Sequence, residues 1–373
     1  MDAIYLDHNA TAPVKPEVAS AIAEALAVCG NPSSVHRFGR AARRRIEDAR
    51  ERIAALAGAR PESVIFTSGG SEANALALAA GADRRLLVGA AEHDSVLKAA
   101  PEAPRVPVDG GGLILRERLK ALLAEAGPAL VSIQLANSET GVLQPIAELS
   151  QAVHEAGGLL HVDAAQASGR IEIDMPSLGA DLLTLSAHKM GGPQGVGALI
   201  LAADLPPRPI IRGGGQERGW RSGTENLPGI VGFGRAAELA LRDLGRAAEL
   251  AALREGIERR VLALAPQAPI YGMGSPRLPN TSCIGMPGVD SETQVMAFDL
   301  AGIAVSAGSA CSSGKLRRSG VLEAMGAKPP EAGSAIRVSF GWTSTAEEAD
   351  RFVDAWAEIY GRLAMGRSRR AMA

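Results

Sequence analysis

Aromatic residues make up only 3% of the 373-residue chain, and there are just three cysteines. So few rings leave little for base-stacking platforms, and the core must be filled by Ala, Leu, Val and Ile. Cys29, Cys283 and Cys311 are widely spaced, with no CxxC pair. They suit neither a disulfide framework nor a zinc site, so a reducing compartment and no bound metal are expected. Charge of one sign is missing too: the formal net charge is −2, which gives no positive field to draw the chain to nucleic acid or to a membrane. No apolar run is long enough to span a bilayer, and Met1 to Asp7 lack the basic and apolar regions of a signal peptide. The expectation is a cytoplasmic protein with no nucleic-acid or membrane partner.

Hydrophobic residues at 46% and charged residues at 21% describe a soluble globular protein, and 373 residues suggest two domains or one large α/β domain with a smaller companion. Short apolar runs recur at 64–67, 86–89, 129–135, 159–162, 181–185 and 198–201, most of them separated by helical patterns. Such runs signal strands buried on both faces of a largely parallel sheet, where ligands bind beyond the carboxyl ends of the strands. Residues 1–13 read as an extended arm. Helices are expected at 16–28, about 40–56, 72–78 and 346–363, with a long helical region at about 239–264 broken near Gly245. Short elements follow it, a helical piece around 321–325 and a strand at 335–340, and between them lies the small-residue tract Ser306 to Gly314.

The chemistry-bearing residues fall at the strand ends. Lys189 follows 181–185, where a Schiff-base lysine would sit, and Gly191 and Gly192 would let a large ligand approach the backbone. An ordinary surface lysine is the competing reading. Asp163 is either a strand-end turn carboxylate or an acid for a pyridine nitrogen. The loop Ser68-Gly69-Gly70-Ser71 opens a helix and can cradle phosphate through its amides, with Ser186, His188 and Thr224 as further contacts. His93 is either structural or placed on a ring face, and Asn137 and Gln166 are either turn residues or partners of a ring hydroxyl. Arg337, inside an apolar strand, needs either a salt-bridge acid or a substrate carboxylate. Cys311 sits among Ser, Ala and Gly in a tract expected to be mobile, whereas Cys283 reads as a small buried residue.

Ten segments carry a resemblance: YLDHNATAP, GNPSSVHRFG, FTSGGSEAN, AEHDSVL, NSETG, HVDAAQASG, SAHKMGGPQGVG, GGGQERGWRSGT, SAGSACSSG and AIRVSFG. In this order the chain resembles the cysteine desulfurases. The resemblance implies the fold of pyridoxal 5'-phosphate enzymes of the class V aminotransferase type (fold type I, aspartate aminotransferase-like). A large domain with a mostly parallel seven-stranded sheet would span 14–250, and a smaller α+β domain, 1–13 and 251–373, would carry the catalytic cysteine loop at about 305–318. The form of that tract is similar to the group with a long mobile loop. It further implies Lys189 as the cofactor-bound amine and Asp163 as the ring-nitrogen partner. Gly70, Ser71, Ser186, His188 and Thr224 would hold phosphate, Thr224 coming from the neighbouring subunit of a homodimer. His93 would stack on the ring, Asn137 and Gln166 would contact its oxygen, and Arg337, with Asn137, would bind the carboxylate of L-cysteine. Cys311 would take the substrate sulfur as a persulfide for an iron–sulfur scaffold or another acceptor protein. Ser138 departs from the second Asn of many relatives, and a short C-terminal segment puts the acceptor in question. An aminotransferase or selenocysteine lyase, or a non-catalytic sulfur carrier or assembly platform, would be the alternatives.

Overall fold

The computed structural model describes residues 3–202, 205, 208–308 and 318–371, with side chains as far as residue 363. The arm enters as β1 (Ile4–Tyr5). Next come β2 (Val64–Thr67), β3 (Arg85–Gly89), β4 (Arg105–Val106), β5 (Ala129–Gln134), β6 (Leu159–Asp163), β7 (Leu182–Ser186) and β8 (Gly197–Leu201). These seven form one sheet in the order β2-β8-β7-β6-β5-β3-β4. β8 runs against both its neighbours while the other six share one direction, so the sheet is mostly parallel. β4, absent from the expected strands, is two residues long and includes Arg105, too little for any apolar pattern.

The pleat explains why these strands show no polar alternation. Val64 and Phe66 of β2, Val131 and Ile133 of β5, and Leu183 and Leu185 of β7 face one core, formed with helices Arg37–Leu56, Ile146–Glu155 and Leu227–Asp243. Ile65, Leu130 and Leu182 face a second core, against the helix Gly70–Ala80. Both faces are covered, so both alternating sets are apolar.

Two helix boundaries moved for identifiable reasons. The helix expected from about residue 40 begins at Arg37, because the His36 side chain accepts the Gly39 amide as a cap. Gly39 is inside the helix because a Cβ there would lie 2.2 Å from the Ser34 carbonyl oxygen. The region expected at about 239–264 starts earlier, as Leu227–Asp243, and a tight turn at Leu244–Arg246 marks the break before Ala247–Leu264.

The C-terminal part supplies β9 (Ile270–Tyr271), β10 (Thr281–Gly285), β11 (Ile303–Ala304) and β12 (Ala335–Ser339). β10 lies between β9 and β12 in an antiparallel sheet, and β11 pairs in parallel with β1. A third core gathers Ile4 and Leu6 of the arm with Phe298, Phe352 and Trp356, the two phenylalanine rings being stacked at 5.1 Å. Cys283 is buried within β10, and burial pushes its thiol pKa up, as befits an inert packing residue.

One buried ion pair fastens the start of the sheet. Glu217 accepts both guanidinium nitrogens of Arg50 at 2.9 Å and the Phe66 amide at 2.8 Å. Arg50 also donates to the Val64 carbonyl at 2.7 Å and lies over the Phe66 ring. The helix Arg37–Leu56, β2 and the 216–219 turn meet at this pair. Among the described residues no helix is long and apolar enough to cross a membrane, and no cluster of His, Cys, Asp and Glu could hold a metal.

Candidate active site

Because β2, β3, β5, β6 and β7 share one direction, the segments leaving their carboxyl ends lie along one edge. A cleft opens there, where ligands of parallel-sheet proteins bind. Gly70 and Ser71 line it after β2, His93 after β3, Asp163 and Gln166 at and after β6, and Ser186, His188 and Lys189 at and after β7. Arg337 of β12 and Asn9 and Ala10 of the arm close the other side.

Lys189 ends the short turn Ala187–Lys189, and its Nζ donates to the carbonyls of Asn9 at 2.6 Å and Ala10 at 3.0 Å. Glycines 191 and 192, expected to let a ligand approach the backbone, have their free sides facing protein instead. A Cβ on Gly191 would meet the Lys15 side chain at 3.0 Å, and one on Gly192 the Ala187 carbonyl oxygen at 2.8 Å.

Gly70 and Ser71 begin an eleven-residue helix, so the first amides have no partner inside the helix and favour an anion. Ser186 lies beside Gly70, 3.4 Å from where a Cβ would stand. The approach needs Gly197 of β8, whose Cβ would come within 2.6 Å of the Gly69 carbonyl carbon. Glu72 fixes the preceding bend by accepting the Ser68 amide at 2.8 Å, and Arg221 Nε donates to Glu72 at 3.0 Å. His188 shares the cleft, and its Nδ1 lies 3.2 Å from Thr11 Oγ1. Burial, with Lys189 and Arg170 nearby, pulls its pKa down to about 4, so it is neutral near pH 7.

Asp163 ends β6 with both oxygens held: Oδ1 accepts the Ala165 amide at 3.0 Å, and Oδ2 accepts from Asn74 Nδ2 at 2.8 Å. His93 caps the helix Asp94–Leu97, its Nδ1 accepting from the Ser95 amide at 3.1 Å. Gln166 donates to the Asn9 carbonyl at 3.0 Å while its oxygen accepts from Arg170. Arg337 pairs with Asp7 at 2.7 Å and donates to the Ser138 carbonyl at 3.1 Å, yet its buried Nε has no partner among the described residues. The salt bridge and the cleft-facing position therefore coexist.

Asn137 is engaged by its own turn. Its oxygen accepts the amides of Glu139 and Thr140 at 2.9 Å and its nitrogen donates to the Ala91 carbonyl at 3.2 Å, so the turn takes up the carboxamide; Ser138 and Gln134 line the cleft. Thr224 is exposed and does not line this cleft. Cys311 lies outside the described residues. Sequence reasoning missed Asn74, Ser95, Asn9 and Arg170. Arg170, with no carboxylate partner among the described residues, donates to the carbonyls of His8 and Lys189 and so joins the arm to the lysine turn; burial, with Arg337 nearby, lowers its pKa to about 9. Only its position directly after the HVDAAQASG segment hinted at a role.

Comparison with known proteins agrees with this geometry. The family model "Aminotransferase class-V" matches residues 4–352. A cysteine desulfurase of Cereibacter sphaeroides is 44% identical, covering 97% of each chain, and "Cysteine desulfurase IscS 1" of Archaeoglobus fulgidus is 40% identical, covering 96% of this chain and 97% of its own. The solved structure of a NifS-like protein from Rickettsia africae superposes with a TM-score of 0.90 at 38% identity, covering 96% of this chain and 99% of that one. The sheet, the cleft at its carboxyl edge and these full-length matches place the chain in the class-V aminotransferase family, among its cysteine desulfurases.

Proposed function

We propose that the protein is a pyridoxal 5'-phosphate-dependent cysteine desulfurase, converting L-cysteine to L-alanine while Cys311 takes the sulfur as a persulfide. The observation that carries this reading is the meeting, in one cleft, of the Lys189 amine, the Asp163 carboxylate and the N-terminus of the helix Gly70–Ala80. The donor set fits the cofactor: a primary amine for an aldehyde, an acid for a pyridine nitrogen and helix amides for a phosphate. The unpartnered Arg337 Nε fits too, since a substrate carboxylate would satisfy a buried donor that otherwise costs stability.

Pyridoxal phosphate supplies an electron sink that loosens the substrate Cα proton and weakens the Cβ–S bond. Lys189 Nζ would be the base that moves the Cα proton. Asp163 would keep a proton on the ring nitrogen, and Gly70, Ser71, Ser186 and His188 would hold the phosphate. His93 would meet the ring face and Gln166 the ring oxygen. Arg337 orients the substrate carboxylate. The Cys311 thiolate attacks the sulfur, the S–S bond forms as the C–S bond breaks, and alanine leaves once Cβ takes a proton.

The protein would act in the cytoplasm as a homodimer, with Thr224 of a second copy completing the phosphate site. It would pass its sulfur to an iron–sulfur scaffold or another acceptor protein. Residues 14–250 would form the cofactor domain, and 1–13 with 251–373 the smaller one. The deciding experiment is intact-mass measurement after incubation with L-cysteine, alongside alanine assay. One added sulfur is expected on the wild type and none on Cys311→Ser, which should keep the cofactor's colour. A Cys311→Ser protein that still gains sulfur, or a wild type that takes up no cofactor, refutes the reading.

A further inference from the structure

Asn74 sits in the second turn of the helix whose first turn lines the phosphate end of the cleft. Its Nδ2 donates to Asp163 Oδ2 at 2.8 Å and to Ser95 Oγ at 2.8 Å. The amide can face only this way, because an ionised carboxylate accepts and never donates. Ser95 Oγ keeps its own hydrogen for His93 Nδ1, 2.8 Å away, which also accepts the Ser95 amide. With Nδ1 accepting, the neutral imidazole carries its proton on Nε2. One carboxamide thus spans two walls of the cleft: the acid that ends β6 and the turn that follows β3.

A second observation separates this arrangement from ordinary packing. Asn74 is 1% exposed, and its Oδ1 is a buried acceptor without a partner among the described residues. A residue serving stability alone would be apolar here, since a half-satisfied buried amide is worse than a hydrocarbon of the same volume.

We propose that Asn74 is a positioning residue, clasping Asp163 and the His93–Ser95 turn so that the acid for a ring's edge and the imidazole for its face keep a fixed relation. This rests on the reading of the cleft as a pyridoxal phosphate site. Asn74 acts through the groups it holds.

The test uses the full chain and pyridoxal phosphate, reading two quantities: the cofactor's dissociation constant and the circular dichroism of its visible band, which reports ring orientation and not fold. Asn74→Asp keeps the shape but removes both donors and sets a second carboxylate against Asp163. Asn74→Leu removes the donors without adding charge. Both are expected to weaken cofactor binding about tenfold to a hundredfold, the loss of a charge-assisted hydrogen bond, and to change the visible dichroism. Ser95→Ala should change the dichroism alone, and adding it to Asn74→Leu should change nothing further, because the two share one path. Wild-type affinity and dichroism in Asn74→Asp overturn the proposal and leave the functional reading standing. A wild type that binds no cofactor overturns both. Should neither Asn74 variant fold, Ser95→Ala decides, and unchanged dichroism there overturns the clasp.

Discussion

Replacing Glu217 by alanine leaves the Arg50 guanidinium, whose side chain is 3% exposed, without its bidentate carboxylate. Arg50 keeps the Val64 carbonyl and a hydrogen bond to Glu47 at 2.9 Å, but the Phe66 amide loses its acceptor. Breaking a buried pair from one side costs ~3–5 kcal/mol. The surviving Glu47 contact favours the lower end and the orphaned Phe66 amide the upper, so ~4 kcal/mol is expected. At ~2 °C per kcal/mol, Tm falls ~8 °C. Residue 217 already sits at φ 45°, and alanine inherits that strain unchanged, so the loss reads the contacts and not the backbone. Thermal unfolding followed by far-UV dichroism measures the effect. A double variant, Arg50→Met with Glu217→Leu, removes both charges and should recover at least half the loss, since an apolar pair avoids desolvating either ion. A single-variant shift under ~2 °C, or a double variant as unstable as the two singles summed, refutes this account of the pair.

Arg337→Lys keeps the charge but loses the planar fork, so KM for cysteine should rise ~10-fold or more while bound cofactor is unchanged, measured by steady-state alanine release. Gly197→Ala drives a methyl into Gly69; cofactor affinity should fall ~10-fold and stability by ~1–3 kcal/mol, read by absorbance titration and urea unfolding. His8 and His161 are buried, and burial lowers each pKa to about 4. A depressed histidine pKa means the unfolded chain binds more protons, so their stability is complete above pH ~6.5 and is lost as pH falls toward ~4, about 2 kcal/mol each by pH 5. Urea midpoints between pH 7 and pH 5 should fall less steeply in His161→Gln than in the wild type; equal slopes would contradict the assignment.

The strand ends were legible because burial on both faces turns β2, β5 and β7 into largely apolar runs, bounded by the polar loops that leave the sheet. Gly70, Asp163, Ser186 and Lys189 fall at or after those strand ends and line one cleft. Asn137 kept two readings because a carboxamide that closes a turn and one that meets a ligand look alike in sequence, and the structure shows its turn contacts. Asn74 was hidden for the opposite reason: mid-helix, in Glu72-Ala73-Asn74-Ala75, nothing local tells which way it points. Asn9 and Ala10 contribute backbone carbonyls to Lys189, and a carbonyl has no signature in the sequence. The glycines after Lys189 misled because glycine marks close approach without saying what approaches.

The arm that docks Lys189 also fixes when the site can exist. Ile4 pairs with Ile303, and the Asn9 amide donates to Ser339 Oγ at 3.0 Å, across a sequence separation of 330 residues. During synthesis, the arm must wait for Ser339, 330 residues further along, before it can settle. The sheet can form meanwhile from neighbouring strands, but the contacts that seat the lysine amine belong to the slowest class of long-range closure. The order of assembly thus keeps the docked amine and its cleft from being complete in a nascent or C-terminally truncated chain.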